Sequence, residues 1–194
     1  MIIQNINNLN ELSEQTCVAV GNFDGIHYGH IRLIEKTIET SEDNNLVPTI
    51  LTFDPMPEEF FNISDFFRLM HMTDKYQVLE KYGIEQIIKI PFNKNFSEMS
   101  KDVFIENILI KKLMVRHLIV GSDFKFGYKR LGDTKLLKSY EEKNLFDLTV
   151  IDLVKVTNKK ISSRDIRALI KSGDIKDANK LISKPFSLVG RVIH

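Results

Sequence analysis

Cysteine is nearly absent from this sequence of 194 residues, in which Cys17 is the only one. A single cysteine excludes an internal disulfide and argues against a zinc site built from thiolates. Cys17 lies inside an apolar run, where a thiol is more often a packing residue than a nucleophile. We therefore predict that Cys17 is buried and structural.

An excess of charge of either sign is also missing. Lys and Arg number 27 against 26 Asp and Glu, so no overall field attracts nucleic acid and any anion site must be local. No segment approaches the roughly 20 apolar residues that cross a bilayer. Residues 1–15 lack the basic and apolar regions of a signal peptide. We expect a cytoplasmic protein that binds neither nucleic acid nor membrane, and its oligomeric state stays open.

What the sequence does contain is a regular alternation of short apolar runs and amphipathic stretches, without repeats or low-complexity tracts. The apolar runs are rich in Val and Ile, as in strands buried on both faces. This alternation predicts an α/β fold with a Rossmann-like, doubly wound parallel sheet, in which ligands bind beyond the carboxyl ends of the strands. The predicted strands are Cys17–Val20, Val47–Phe53, Gln86–Ile90, His117–Val120 and Leu148–Val154, and the predicted helices are His30–Thr40, Asp74–Tyr82, Lys101–Leu113 and Thr134–Lys143.

The C-terminal part has a different pattern. Ser162–Ser172 and Asp174–Ser183 are predicted to form two short helices separated by Gly173, which make a short helical C-terminal subdomain. Lys184-Pro185 then ends the helical pattern. Phe186–Ile193 is predicted to begin a strand.

The segment GNFDGIHYGH, residues 21–30, follows the first predicted strand and ends where a helix begins. A helix start directs free backbone N–H groups and the positive end of the helix dipole at one point, which suits an anion. His27 and His30 add imidazoles that can donate to phosphate oxygens. Histidines three apart could also hold a metal ion, but no further ligands at metal-site spacing lie nearby. We predict a nucleotide phosphate site and no protein metal site.

A second segment, ISSRDIRALIKSGD at residues 161–174, carries paired hydroxyls and a basic residue. Ser162, Ser163 and Arg167 can bind a triphosphate through hydroxyl and guanidinium donors. A serine N-cap followed by an arginine on a solvated helix face would give the same pattern. The segment alone leaves both interpretations open.

Six segments follow one another in a characteristic order. They are GNFDGIHYGH, LTFDPMP, RLMHMTDKYQVL, VGSDFKFGYKRLGD, ISSRDIR and KPFSLVGRVIH. H-x-G-H with a later serine-rich loop resembles the nucleotidylyltransferase superfamily. The whole series resembles the bacterial FAD synthetase family of bifunctional riboflavin kinase/FMN adenylyltransferases, and it covers nearly the whole chain. The resemblance implies that residues 1–184 transfer AMP from ATP to FMN, giving FAD and pyrophosphate.

The resemblance also assigns roles to residues. It implies that His27, His30 and Arg167 are catalytic, and that magnesium is bound mainly through the ATP phosphates. The implied ATP-binding residues are Gly21, Asn22, Phe23, Asp24, Gly25, His27, Gly29, His30, Ser162, Ser163 and Arg167. The implied flavin-binding residues are Phe53, Pro55, Pro57, Asp123, Phe126 and Arg130.

Two residues depart from the family's pattern. Met56 replaces the histidine usual between the prolines of T-F-x-P-H-P, which removes a polar group from the expected flavin side. Arg164 replaces the threonine usual in S-S-T-x-I-R. The alternatives are therefore an adenylyl- or cytidylyltransferase with another acceptor, or a flavin- or nucleotide-binding protein with weakened catalysis.

Residues 185–194 resemble the start of a riboflavin kinase domain that is otherwise absent from the sequence, so we expect no kinase activity.

Aromatic residues follow the second predicted strand, and two histidines lie outside any motif. We expect Phe60, Phe61, Phe66 and Phe67 to pack as one cluster rather than to stack on flavin. His71 and His117 are expected to be structural.

Overall fold

The computed structural model describes residues 1–152, 155–156, 159–188 and 190, and a six-stranded parallel sheet forms its centre. The strand order is β1-β4-β3-β2-β5-β6, so the chain builds outward from β2 and then returns to its other side with β5. This confirms the predicted doubly wound sheet. The strands are β1 (Ile2–Asn5), β2 (Thr16–Val20), β3 (Val47–Phe53), β4 (Gln86–Ile90), β5 (Val115–Gly121) and β6 (Asp147–Ile151).

Strand β1 is the strand of the six-stranded sheet that the sequence pattern missed. It pairs with β4 at the edge of the sheet, where Ile2 and Ile3 are 58% and 40% exposed. A strand of four residues that is open on one side carries too little apolar signal for its pattern to be recognised.

Helices fill the connections between strands, and two of them begin earlier than predicted because a histidine caps each one. His27 caps α1 and His71 caps α3, each accepting a main-chain N–H through Nδ1. Ser100 caps α5 through its hydroxyl, which accepts the main-chain N–H of Val103. The helices are α1 (Tyr28–Asn44), α2 (Pro57–Phe60), α3 (Met72–Lys81), α4 (Lys94–Ser97), α5 (Lys101–Val103, continued by a π-helical segment Phe104–Lys112), α6 (Thr134–Glu141), α7 (Ser163–Lys171) and α8 (Ile175–Asn179).

Alternate residues of each buried strand face opposite sides of the sheet, so each apolar run contributes to two separate cores. In β2, Val18 and Val20 pack under α5 and α6, whereas Cys17 and Ala19 pack under α1 and α3. Cys17 is fully buried, and this burial raises the pKa of its thiol to about 12. The prediction of a structural cysteine is confirmed.

The C-terminal subdomain has a small apolar core of its own, and it is tied to the loop that follows β2. Ile161, Ile166, Ala178 and Ile182 pack with Leu69. The main-chain N–H of Ser183 donates to the carbonyl of Ile26 at 3.1 Å, and that of Tyr28 donates to Leu181 at 3.2 Å. These bonds fix the subdomain against the carboxyl end of the sheet.

Two sequence predictions are only partly covered by the described residues. Phe186–Leu188 is irregular rather than a strand, and residues 189 and 191–193 of that predicted strand lie outside the description. The end of the predicted strand Leu148–Val154, at residues 153–154, also lies outside it. The second C-terminal helix is shorter than predicted, since α8 covers Ile175–Asn179. Within the described residues, no helix is both long and apolar enough to cross a membrane.

His117 is structural, as predicted. It lies on β5, and its Nε2 is 2.8 Å from the hydroxyl of Thr149 on β6. Burial lowers the pKa of its imidazole, so the neutral ring serves as a link between the two strands.

Candidate active site

The topological switch of the sheet lies between β2 and β5, and the loop after β2 occupies this position. We call residues 21–27 the glycine loop. Gly25 has a φ of 76°, and a Cβ there would lie 3.0 Å from the Leu69 side chain. A Cβ on Gly29 would lie 3.1 Å from the ring of His27. The two glycines therefore let the loop turn sharply and let His27 lie across the first turn of α1.

His27 and His30 form a stacked pair at the start of α1. Their ring centroids are 3.7 Å apart and their planes differ by 14°. Nδ1 of His27 accepts the main-chain N–H of His30 at 3.3 Å, so a neutral His27 carries its proton on Nε2. This hydrogen bond therefore sets the tautomer of a neutral His27 ring.

His30 is held between His27 and Phe23, whose ring centroid is 5.1 Å away. Burial lowers the pKa of its imidazole well below the ordinary value, with smaller contributions from His27 and Lys75. Its Nδ1 is buried and has no hydrogen-bond partner among the described residues. In the free protein, His30 is therefore a neutral ring that can donate or accept a hydrogen bond.

Asp24 faces the protein interior and joins the glycine loop to the C-terminal subdomain. Its carboxylate accepts the Leu69 N–H at 3.0 Å and Nη2 of Arg167 at 2.5 Å. The main-chain carbonyl of Asp24 accepts a hydrogen bond from the hydroxyl of Ser163 at 2.9 Å. Burial raises the pKa of Asp24, and the Leu69 N–H and Arg167 oppose that rise. Asp24 thus holds the glycine loop in place from its buried side.

Arg167 has structural contacts as well as a place on the cavity wall. Its Nε donates to the carbonyl of Phe67 at 2.7 Å, and its guanidinium lies 4.3 Å above the ring of Phe66. With the bond to Asp24, two of its five N–H groups have acceptors among the described residues.

The N-termini of α1 and α7 meet at one cavity of 350 Å³. Ser162 caps α7 by accepting the Asp165 N–H at 3.3 Å, which confirms the N-cap interpretation of this serine. It also lines the cavity, and its contact with a phosphate stays a prediction. Phe23 and Gly25 lie behind the cavity wall rather than on it. The residues predicted for ATP that line it are Gly21, Asn22, Asp24, His27, Gly29, His30, Ser162, Ser163 and Arg167.

A second cavity, of 370 Å³, opens beside the first and is walled by aromatic rings. Of the residues predicted for flavin, Phe53, Pro57, Phe126 and Arg130 line it. Asp123 lines the first cavity instead, and Pro55 lines neither. Both cavities share the residues Phe53, Pro57, Glu58, Phe124, Lys125 and Arg130, so they form one continuous site with two cations at the junction.

Comparison with known proteins identifies the family. The family model for FAD synthetase matches residues 9–165. The chain belongs to the FAD synthetase family. It is 38% identical over 195 residues to a bifunctional riboflavin kinase/FMN adenylyltransferase of Buchnera aphidicola from Schizaphis graminum, with 100% of this chain and 62% of that protein covered. The chain therefore spans about three-fifths of the length of this FAD synthetase relative.

Solved structures show the fold of this FAD synthetase family member. A crystal structure named as a macrolide-efflux protein from Streptococcus pneumoniae matches with a TM-score of 0.85 at 24% identity, covering 96% of this chain and 63% of that one. Pantoate-β-alanine ligase from Francisella tularensis matches with a TM-score of 0.55 at 15% identity, covering 93% and 85%. At these identities the likeness concerns the fold alone.

Sequence reasoning missed most of the aromatic wall in this FAD synthetase chain. The predicted cluster of four phenylalanines is in fact divided. Phe66 lies against Arg167 and Phe67 against Phe186, whereas Phe60 and Phe61 contact Phe92. The rings of the second cavity that were not predicted to meet flavin are Phe61, Phe92, Phe96, Phe104 and Phe124. They come from five separate elements and loops, and only the fold brings them together.

Met56 does not face either cavity. It is 1% exposed, and its main-chain N–H donates to Glu59 at 2.8 Å at the start of α2. The expected loss of a polar group from the flavin side is therefore not found, because the side chain points into the packed interior.

Proposed function

We propose that this chain is an FMN adenylyltransferase, which transfers AMP from MgATP to FMN and releases FAD and pyrophosphate. One observation carries the proposal: a cavity with two helix N-termini opens directly into a cavity walled by aromatic rings, with the His27–His30 pair on the polar side. Such a site fits a polyphosphate beside a flat ring system. Family membership supports the same reaction.

The ATP triphosphate is placed at the convergence of α1 and α7. Free N–H groups and helix dipoles at both helix starts favour negative charge. The remaining N–H groups of Arg167 supply further donors. The hydroxyls of Ser162 and Ser163 donate to Asp165 and to the Asp24 carbonyl in the free chain, and they rotate toward the phosphates to donate to them. We assign the β- and γ-phosphates to the two serines and Arg167, and the α-phosphate to His27 and His30.

The isoalloxazine ring of FMN is placed in the aromatic cavity, where Phe53, Phe92 and Phe126 supply apolar faces. Its phosphate then lies near the junction of the two cavities. Lys125 and Arg130 line both cavities and provide positive charge for that phosphate. This placement brings the acceptor phosphate toward the His27–His30 pair.

The chemistry needs alignment and charge stabilisation rather than a protein nucleophile. A phosphate oxygen of FMN, already anionic, attacks the α-phosphorus of ATP, and the bond from that phosphorus to the bridging oxygen of the β-phosphate breaks. Negative charge that develops on the α-phosphate and the leaving pyrophosphate is met by N–H donors that are already in place. Because His30 is neutral in the free protein, it acts first as a hydrogen-bonding group.

Magnesium fits this site as part of the substrate MgATP. Hard cations of this kind prefer oxygen ligands and keep several waters. The carboxylates of Asp123 and Asp152 line the first cavity, but the described residues contain no group of three or more His, Cys, Asp or Glu side chains arranged for a metal ion. We therefore assign the ion mainly to the ATP phosphates.

The deciding experiment incubates the chain with MgATP and FMN and measures FAD and pyrophosphate. Equal amounts of the two products are expected. Tight FMN binding without FAD formation would contradict the proposal and favour a binding protein. Transfer of AMP to another mononucleotide, with FMN left unchanged, would favour a transferase with a different acceptor.

A further inference from the structure

Lys75 on α3 is buried beneath the glycine loop and has no part in the reaction described above. It is 1% exposed, which is rare for a lysine. Its Nζ donates to the main-chain carbonyl of Asn22 at 3.0 Å. The hydroxyl of Thr52 on β3 donates to the same carbonyl at 3.2 Å. Two donors from two elements therefore fix one peptide of the loop.

The charges that act on Lys75 come from several elements. Asp24 belongs to the glycine loop, Asp54 and Glu59 follow β3, and Arg68 precedes α3. Lys75 in turn acts on His30 of α1. Burial lowers the pKa of Lys75 to about 8, and Asp24 is the largest influence in the opposite direction. The ammonium form thus persists at neutral pH and is lost in mildly alkaline solution.

We propose that Lys75 is a positioning residue for adenylyl transfer: its ammonium group holds the Asn22 carbonyl and places a fixed positive charge beneath the loop that receives the ATP phosphates. The inference rests on the proposed function, since it assigns the loop to MgATP. A buried charge lowers stability unless it is well paired. A methionine would fill the same space without that cost, and a lysine here is therefore better explained by its effect on the loop.

The test compares three variants of the full chain. Lys75→Met removes the charge and the hydrogen bond, Thr52→Val removes only the other donor to the Asn22 carbonyl, and Lys81→Met removes an exposed lysine from the end of the same helix. We expect Lys75→Met to lower kcat/KM for MgATP by about tenfold or more, as for the loss of a hydrogen bond to a charged group. Thr52→Val has a smaller effect, and Lys81→Met has none.

The pH profile separates this role from simple packing. In the native protein, kcat/KM for MgATP falls as the pH rises through about 8, because the free protein loses the ammonium group. Thr52→Val keeps this alkaline limb, and Lys75→Met lacks it. Unchanged kcat/KM in Lys75→Met, or an alkaline limb that persists in it, would overturn the proposal.

Failure of the proposed function is distinguishable from failure of this inference. If the native chain forms no FAD, the dissociation constant for MgATP alone, measured by calorimetry at pH 7 and pH 9, replaces kcat/KM. Binding that weakens at pH 9 in the native chain and in Lys81→Met supports the role of Lys75, and equal binding at both pH values contradicts it. If circular dichroism shows that Lys75→Met does not fold, the pH profiles of the native chain and of Thr52→Val are the test. A loss above about pH 8 in both supports the role of Lys75, and no loss in either contradicts it.

Discussion

At the scale of single residues, the site uses some of its polar groups to hold other polar groups in place. Asp24 and Arg167 form an ion pair whose carboxylate is nearly inaccessible to solvent, with side-chain exposures of 2% and 13%. The pair links the glycine loop to α7. Residues whose types suggest phosphate contact thus also determine where the two helix starts lie.

Replacement of Arg167 by Met is therefore expected to affect stability as well as turnover. The substitution leaves the Asp24 carboxylate buried with only N–H partners, and we expect the free energy of unfolding to fall by about 3 kcal/mol or more. Urea denaturation measures the change. Arg164→Met is the matched control, because Arg164 is an exposed residue of the same helix. Equal stabilities for the two variants would show that the ion pair has no net effect.

His30 gives the clearest separation of binding from chemistry. We expect His30→Ala to lower kcat by about 100-fold or more, as when a donor to developing charge is removed. The dissociation constant for FMN should change little, since His30 does not line the aromatic cavity. Steady-state kinetics and flavin fluorescence measure the two quantities. Equal losses in both would contradict a role in stabilising the transition state.

At the scale of elements, different parts of the fold line the two halves of the site. The starts of α1 and α7 form the polar half of the site, and rings from the segments around α2, α4 and β5 form the apolar half. Phe61 is 59% exposed although it lines the apolar half. An exposed ring at the mouth of a cavity gains burial when a flat ligand enters.

Truncation of Phe61 to Ala is accordingly expected to weaken FMN binding by roughly three- to tenfold, which is the range of one aromatic contact. Quenching of flavin fluorescence measures the dissociation constant. Leu145→Ala is the comparison, because Leu145 is 42% exposed and lines neither cavity. An unchanged dissociation constant for Phe61→Ala would place the flavin elsewhere.

At the scale of the whole molecule, the central sheet is buried on both faces and carries two apolar cores. Cys17 lies within one of them. Its thiol has a pKa raised from 9.0 to about 12, so the folded chain keeps a proton that the unfolded chain releases above pH 9. The contribution of this thiol to stability is therefore constant below pH 9 and falls as the pH rises from 9 toward 12.

This effect is isolated by comparison with Cys17→Ala. We expect the free energy of unfolding of the native chain to fall relative to that of the variant by up to about 1.4 kcal/mol for each pH unit above 9. Urea denaturation at pH 8, 9, 10 and 11 provides the comparison. Parallel curves for the two proteins would mean that the thiol ionises equally in both states.

The sequence by itself determined the order of the strands from β2 to β6, the longer helices between them and the buried cysteine, and it located the starts of α1 and α7 to within a few residues. These features depend on local pattern: apolar runs, capping residues and glycines act within a few positions along the chain. The family could be recognised for the same reason, since its motifs are contiguous segments such as GNFDGIHYGH and ISSRDIR.

Only the tertiary structure decided which residues face the two cavities. Met56 belongs to a conspicuous motif, yet its side chain is buried and lines neither cavity, whereas Phe92 and Phe96 belong to none and form part of the aromatic wall. Lys75 lies 53 positions from the loop that it supports. Side-chain direction and contact between distant segments depend on how the helices pack on the sheet, and no local pattern encodes that packing.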